Sequence, residues 1–173
     1  MAGAVIRIRG TVHRRAAPWT PAVHELLRHL ERVGFSGAAR PMGMDEDGRE
    51  VLTYIPGAIA HPRVLDDAEL AGVARLIREY HVKVASFQVP PHATWSTDSQ
   101  DPSATHELVC HNDLAPWNLV VGKRGELAFI DWDLAAPGRR LWDLALAACT
   151  CVPLYPSAAR QFERLCVSAT RTV

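Results

Sequence analysis

The sequence predicts an α+β fold, built as a single domain from 173 residues. Two pairs of short strand patterns, each joined by a glycine-containing turn, lie in residues 5–15 and 119–130. Two amphipathic patterns with helical spacing lie between them, in residues 20–33 and 66–80. A chain of this length is large enough to bury a substantial hydrophobic core.

The N-terminal strands are predicted at residues 5–9 and 11–15, with a tight turn at Gly10. Side chains alternate between the two faces of a strand, so Arg14 shares a face with Val12. A solvated arginine on an edge strand fits the same pattern equally well. The strand pair therefore supplies a cation whose role the pattern alone leaves open.

The first helix is predicted to have Thr20 as its N-cap and Pro21 in the first helical position, and to end at Gly34. Glu25 is the only acid in its first two turns, where an exposed carboxylate also favours the helix through its dipole. The inward face is predicted from the apolar residues at helical spacing, which are Val23, Leu26, Leu27, Leu30 and Val33.

A third strand is predicted at residues 50–55, ending at Pro56-Gly57. Asp66 and Glu69 form the capping-box pattern that begins the second amphipathic helix. Residues 90–103 follow as a polar, proline-containing loop.

The densest polar pattern lies in residues 109–133. His111, Asp113 and Asn118 follow a short apolar run, and Pro116 prevents a helix at that point. These polar side chains are therefore predicted to lie on a loop.

A hairpin follows this loop, with strands at residues 119–121 and 127–130. Its second strand leads directly into Asp131 and Asp133. Folding the hairpin back brings Asp131 close to the acid and the amide that precede the first strand.

Two more helices are predicted, at residues 139–149 and 158–167. The first of them is predicted to turn its apolar residues inward, namely Leu141, Leu144, Ala145 and Ala148.

The composition excludes several classes of partner. Nineteen basic residues balance nineteen acidic ones, which argues against nucleic acid or an anionic membrane. The sequence has neither a membrane-length apolar run nor a signal-peptide pattern, so a cytoplasmic protein is expected. Its four cysteines show no metal or CxxC spacing and are predicted to be reduced core residues.

The polar cluster suits phosphoryl transfer. An Asp can accept the proton of a substrate hydroxyl, and an Asn oxygen with an Asp carboxylate offers hard ligands for Mg²⁺. H-x-D-x-x-x-x-N at 111–118, a hairpin and then I-D-W-D at 130–133 resemble the aminoglycoside phosphotransferase family. These are small-molecule kinases related to the protein kinases, and the sequence also resembles the trifolitoxin-immunity branch of that family.

The resemblance implies a protein-kinase-like, two-lobed fold. Residues 1–57 would form a reduced N-lobe and hinge, and residues 58–173 a shortened helical C-lobe with the catalytic hairpin at 109–133. Because only two residues precede Gly3, the strand and loop that normally cover the phosphates are expected to be missing or vestigial. The family's last helices, which complete the acceptor pocket, are likewise expected to be missing.

The resemblance also implies roles for the residues of the 111–133 segment. Asp113 would be the general base and His111 would brace its loop by hydrogen bonding. Magnesium would be bound by Asn118 and Asp131, with Asp133 as a further ligand or support.

The nucleotide, ATP or GTP, would lie between the lobes. Its phosphates would meet a cation of the second strand, for which Arg14 is chosen over His13 and Arg15. Its purine edge would meet the hinge backbone, at Thr53, Tyr54 and Ile55. Asp143 resembles the family acid that braces the catalytic loop.

Three functions remain open at this stage. The first is transfer of the γ-phosphoryl group to a hydroxyl of a small, aminoglycoside-like acceptor. The second is a catalytically weak or inactive binding or immunity protein. The third is a metal-dependent hydrolase built on His111, Asp113 and Asp131. An acceptor pocket left incomplete by a short chain also leaves a homo-oligomer open.

Overall fold

The N-terminal part of the protein is a four-stranded antiparallel sheet. In the computed structural model the described residues are 5–103 and 106–152. The strands are β1 (Ile6–Ile8), β2 (Thr11–Arg15), β3 (Pro41–Met44) and β4 (Arg49–Thr53), in the spatial order β1-β2-β4-β3. The turn between β1 and β2 places Arg9 at a φ of 54°. The two predicted N-terminal strands are thus confirmed.

Helix α1 (Thr20–Arg32) buries the predicted apolar face, including Leu26 and Leu30. The predicted N-cap is wrong by one residue, because Trp19 occupies that position. The hydroxyl of Thr20 instead accepts a hydrogen bond from the backbone N–H of Ala17 at 2.9 Å. Thr20 therefore fixes the chain before the helix rather than the first helical turn.

Helix α2 (Asp67–Val84) begins with the predicted capping box, in which Asp66 and Glu69 exchange hydrogen bonds with each other's backbone N–H. Its inward face includes Ile77 and the fully buried Tyr80, whose hydroxyl donates to the backbone oxygen of Val109 at 2.6 Å. This helix therefore supports the strand that leads into the polar segment at residues 111–133.

Two small sheets carry the polar segment at residues 111–133. Strands β5 (Ala58–Ile59), β7 (Leu119–Val121) and β8 (Leu127–Phe129) form one antiparallel sheet in the order β5-β7-β8. Strands β6 (Leu108–Cys110) and β9 (Ala136–Gly138) form the other. The predicted hairpin is confirmed as β7 and β8. The loop that carries the polar residues lies between β6 and β7.

Helix α3 (Arg140–Cys151) turns the opposite face inward from the one predicted. Leu141 is 70% exposed and Leu144 45% exposed, and Ala145 and Ala148 are exposed as well. The periodicity fails because a buried acid sets the rotation of this helix: Asp143 lies inside and is hydrogen-bonded there. The buried residues of α3 are Asp143, Ala147 and Cys151.

The cysteine prediction holds for two of the three cysteines that the structure describes. Cys110 and Cys151 are buried and free, whereas Cys149 is exposed on α3. The fourth, Cys166, and the helix predicted at 158–167 lie outside the described residues. Among the described helices, none combines the length and the apolar composition that crossing a bilayer requires.

Candidate active site

The loop between β6 and β7 is held in place by hydrogen bonds to the carboxylate of Asp143. This side chain is fully buried and accepts hydrogen bonds from the backbone N–H groups of His111 (3.2 Å) and Asn112 (3.0 Å). Its other partner is the ring Nε2 of His81, at 2.9 Å. Asn112 adopts a left-handed φ of 64°, a conformation that costs energy for a non-glycine residue. The buried acid compensates for this strained turn.

His111 is hydrogen-bonded within the protein through both ring nitrogens. Its Nε2 donates to the backbone oxygen of Ile130 (3.2 Å), and its Nδ1 accepts from the N–H of Asp113 (3.2 Å). Burial lowers the pKa of His111 below its ordinary value, although nearby carboxylates oppose the shift. Both ring nitrogens are therefore engaged within the protein, which argues against His111 as a metal ligand in a hydrolase centre.

Asp113 is half-buried beside Asn118. The amide nitrogen of Asn118 donates to Asp113 Oδ2 at 2.6 Å and to the Asp113 backbone oxygen at 3.1 Å. Trp117 Nε1 lies 3.5 Å from the same Oδ2. Burial raises the pKa of Asp113, and these donors only partly offset it. A carboxyl with a raised pKa is a better proton acceptor once it is ionised.

The hairpin brings Asn118 next to Asp131. Asn118 ends a short 3₁₀ turn (Pro116–Asn118), and its backbone oxygen accepts from Ile130 N–H at 2.9 Å. This bond continues the β7–β8 ladder by one step. The chain then places Asp131 in a left-handed conformation, with a φ of 61°. Such a conformation is uncommon away from glycine, although Asp adopts it more readily than most residues.

Arg14 reaches this site from the N-terminal sheet. Its Nη1 lies 2.7 Å from Asp131 Oδ1, and its Nη2 lies 2.6 Å from Asp133 Oδ1. Burial by itself lowers the pKa of Arg14, but the surrounding carboxylates outweigh this effect and raise it. The guanidinium thus joins β2 to the end of the β7–β8 hairpin.

Burial raises the pKa of Asp133 to about 6. The neighbouring carboxylates of Asp131 and Glu50 add to this shift, and Arg14 opposes it. One guanidinium consequently faces more carboxylates than it can neutralise. An excess of negative charge at a site of oxygen donors favours binding of a divalent cation.

Glu50 is the third carboxylate, and the sequence reading missed it. It is 1% exposed, and its Oε1 lies 2.6 Å from Arg14 Nε. Neither of these two atoms makes a well-aligned hydrogen bond, so the contact is an ion pair. The other oxygen, Oε2, accepts from His24 Nε2 of α1 at 3.0 Å. Strand alternation was the available signal, since it puts Glu50 on the same face as the buried Leu52.

Glu25, the acid in the first two turns of α1, lies away from this cluster. It is exposed on the helix surface and pairs with Arg28, Nη1 to Oε1, at 2.9 Å. Such an exposed pair contributes little to stability. Glu25 therefore has no part in the cluster around Arg14.

A cavity of about 340 Å³ lies between the N-terminal sheet and the β7–β8 hairpin. Its polar end is formed by Arg14, Asn118 and Asp131. The remaining wall is mostly apolar and includes Val12, Ala39, Leu52, Ile55, Val120 and Ile130.

The predicted hinge borders this cavity, and most of its N–H groups are already used. Thr53 N–H donates to the Arg40 backbone oxygen (2.9 Å), and Tyr54 N–H donates to that of Gly10 (2.8 Å). Within the described part of the chain, no hydrogen bond involves the backbone of Ile55. Of the three predicted hinge residues, Ile55 is thus the one whose N–H can meet a ligand.

The predicted magnesium ligands fit a hard cation by their chemistry. Asn118 turns its amide nitrogen to Asp113, which leaves Oδ1 as the free oxygen donor, and Asp131 has a second carboxylate oxygen beyond the one that meets Arg14. Residues 5–103 and 106–152 contain no group of three or more His, Cys, Asp or Glu side chains placed to hold a metal by themselves. The predicted set instead depends on the amide oxygen of Asn118 and on further ligands from a nucleotide.

Comparison with known proteins tests the predicted resemblance to the aminoglycoside phosphotransferase family. Residues 91–165 match the profile of the phosphotransferase enzyme family (APH). The chain is 34% identical to the trifolitoxin immunity protein of Rhizobium leguminosarum bv. trifolii over 154 residues, which are 87% of this chain and 59% of that protein. The chain thus spans less than two thirds of the length of that relative.

Solved structures show the same fold. An amicoumacin kinase, solved with AMP-PNP and Ca²⁺, aligns with a TM-score of 0.63 and 13% identity over 90% of this chain and 65% of that one. A spectinomycin phosphotransferase, solved with ADP and spectinomycin, aligns with a TM-score of 0.65 and 12% identity over 94% of this chain and 70% of that one. The chain has the APH fold. The predicted resemblance to this family and the predicted protein-kinase-like fold are both confirmed.

Of the predicted residues, Arg14, Asn118 and Asp131 line the cavity. Asp113 is hydrogen-bonded to Asn118, and Asp133 is paired with Arg14. His111 contacts the backbone N–H of Asp113, and the predicted hinge residues Thr53, Tyr54 and Ile55 also line the cavity. Glu50 and His24 join the group from β4 and α1. The individual roles of these residues remain predictions.

Proposed function

We propose that the protein transfers the γ-phosphoryl group of ATP or GTP to a hydroxyl of a small molecule. The observation that carries this proposal is the polar cluster at one end of the apolar cavity. There a half-buried carboxylate, Asp113, is hydrogen-bonded to Asn118. Asn118 lines the cavity together with Asp131 and Arg14, and the guanidinium of Arg14 is paired with Asp131. A base, hard ligands and a phosphate-binding cation are the parts that phosphoryl transfer requires.

The apolar part of the cavity suits a purine ring. Val12, Leu52 and Val120 offer it apolar surface. The N–H of Ile55 is the group we propose as its hydrogen-bond donor. In this orientation the phosphates point to Arg14 and the predicted metal ligands.

Asp113 is proposed to accept the proton of the acceptor hydroxyl. Asn118 and Trp117 orient its carboxylate, and Asp143 fixes the loop from below. Asn118 and Asp131 would hold Mg²⁺, which when bound neutralises charge on the nucleotide phosphates. His111 holds Asp113 by its backbone and does not react.

A nucleotide-binding immunity protein is the second candidate. Two observations favour it: the 34% identity to the trifolitoxin immunity protein, and the fact that both terminal nitrogens of Arg14 already have carboxylate partners. Such a protein would bind nucleotide without turnover. A cytoplasmic location, a small-molecule acceptor and a homo-oligomer remain predictions under either candidate.

Calorimetric titration with ATP and with GTP, with and without Mg²⁺, tests the shared part of both candidates. Wild type is expected to bind one or both nucleotides only with Mg²⁺, and Asp131→Ala is expected to lose this binding. Asp98→Ala, which changes an exposed acid, serves as the control and should bind like wild type. Equal binding by Asp131→Ala would refute the metal assignment, and no binding by wild type would refute the nucleotide function.

A further inference from the structure

The carboxylate that faces Arg14 within the N-terminal sheet comes from a strand and not from helix α1. Arg14 on β2 lies directly opposite Glu50 on β4 in the antiparallel register. Both side chains point to the same face of the sheet, toward the cavity and α1. The ion pair between Arg14 Nε and Glu50 Oε1 at 2.6 Å is therefore a cross-strand pair.

Helix α1 contributes a histidine to this pair. His24, which is 4% exposed, donates from Nε2 to Glu50 Oε2 at 3.0 Å. A buried carboxylate is stable only when it is paired and hydrogen-bonded, and Arg14 and His24 together provide this. Glu50 is consequently fixed on both of its oxygens.

The guanidinium of Arg14 uses its nitrogens in two directions. Nε faces Glu50, whereas Nη1 and Nη2 face Asp131 and Asp133 at the cavity end. A guanidinium is a rigid, planar fork, so fixing Nε also fixes the direction of the two terminal nitrogens. These nitrogens would stay directed at the cavity if a phosphate displaced the two aspartates from them.

We propose that Glu50, held by His24, is the positioning residue that orients Arg14 toward the phosphates of a bound nucleotide. This inference rests on the proposed function. In protein kinases a Glu of a helix pairs with the phosphate-binding Lys; here a strand acid and a helix histidine would perform that task. It also accounts for arginine at this position. A lysine has a single nitrogen, which cannot face Glu50 and a phosphate group in two directions at once.

The chain offers a matched pair of variants for the test, Glu50→Gln and Glu25→Gln. Both remove one negative charge from the N-terminal lobe, but only the first removes it from Arg14. Because a hydrogen-bonded or paired charge contributes more than a neutral contact, Glu50→Gln is expected to weaken Mg²⁺–nucleotide binding by about 10- to 100-fold. Glu25→Gln is expected to bind like wild type.

A double-mutant cycle separates positioning from a merely structural role. If Glu50 acts through Arg14, Glu50→Gln adds little further loss of nucleotide affinity once Arg14→Gln is present. Additive losses would overturn the inference. So would a Glu50→Gln protein with a lowered thermal midpoint but unchanged nucleotide affinity.

His24 gives a second route that does not depend on the folding of the Glu50 variant. Glutamine can present an amide N–H near the position of the imidazole Nε2, so His24→Gln is expected to retain most of the affinity. His24→Leu removes the donor and is expected to weaken binding. Equal affinity of folded His24→Leu and wild type would contradict the role of His24. A wild type without Mg²⁺-dependent binding would overturn the proposed function and this inference together.

Discussion

The two halves of the site are built in different ways. In the C-terminal half, the chain places His111, Asp113, Asn118 and Asp131 within one continuous segment, and one buried acid, Asp143, fixes its loop. In the N-terminal half, residues of three separate elements meet: Arg14 of β2 is paired with Glu50 of β4, and Glu50 is paired with His24 of α1. In the C-terminal half, the spacing of residues along the chain therefore determines where the side chains lie. In the N-terminal half, their positions depend on how separate elements pack together.

This difference predicts where the site tolerates change. The continuous half depends on a few backbone conformations that the sequence itself encodes, including the left-handed turns at Asn112 and Asp131. The assembled half depends on how α1 and β4 are placed relative to β2. Substitutions in the first half should act on the loop as a unit, and those in the second half should act on the direction of Arg14.

The largest effect on stability is expected from Asp143→Ala. This change leaves two buried backbone N–H groups and His81 without their acceptor, which should lower the free energy of unfolding by about 3–5 kcal/mol. Urea denaturation measures the loss. The adjacent Leu144→Ala is the matched control, because an exposed leucine should cost at most about 0.5 kcal/mol. A larger loss of unfolding free energy for Leu144→Ala would show that Leu144 is buried, as the apolar pattern of α3 predicts.

An intermediate effect is expected from Arg14→Lys, which tests the assembled half. The change keeps the charge but removes the separate Nε, so the cation can no longer be held by Glu50 while it meets phosphates. Mg²⁺–nucleotide affinity should fall about tenfold, and calorimetry measures this fall. An Arg14→Lys protein that binds Mg²⁺–nucleotide as tightly as wild type would show that the planar geometry of the guanidinium is not required.

The smallest effect is expected at Asp101, which ties the loop at 90–103 to the start of α3. Its buried carboxylate meets Arg139 through two nitrogens, at 2.6 and 2.8 Å. The Arg139 guanidinium holds the pKa of Asp101 well below its usual range. Because the folded pKa is depressed, the ionised form stabilises the protein above about pH 4 and this stabilisation is lost as the pH falls further. Exposure of Arg139 to solvent screens the pair and limits its contribution.

Thermal unfolding of wild type and Asp101→Asn over a pH series checks this prediction. The variant should have the lower midpoint at pH 7, and the difference should shrink below about pH 4. A difference that stays constant down to pH 3 would show that the carboxylate charge is not what stabilises the loop.

The same contrast explains how much of the site could be predicted from the sequence. Asp113, Asn118 and Asp131 were predicted to lie together because a hairpin of fixed length connects them, and the structure brings them together. Glu50 and His24 were missed because they lie 26 residues apart and meet only after α1 packs on the sheet. The alternation that buries Glu50 beside Leu52 was visible, but it does not reveal which cation faces the acid.

The rotation of α3 could not be predicted from periodicity. Four apolar residues define an apolar stripe, yet the helix buries Asp143 because the loop above it supplies backbone donors. Satisfying those donors outweighs burying Leu141 and Leu144, whose side chains remain exposed. A pattern that ranks residues by hydrophobicity alone misses an acid whose partners are backbone groups from another part of the chain.

The most direct test of the central claim is transfer of label from γ-³²P-ATP or γ-³²P-GTP to a panel of small hydroxylated acceptors, with wild type and Asp113→Asn compared. The proposal predicts a labelled acceptor with wild type. It predicts at least about 100-fold less label with Asp113→Asn, because this variant loses the general base. Nucleotide binding by that variant should be unchanged. A wild type that binds nucleotide with Mg²⁺ but labels no acceptor would contradict the phosphotransferase proposal and favour a binding protein with the same fold.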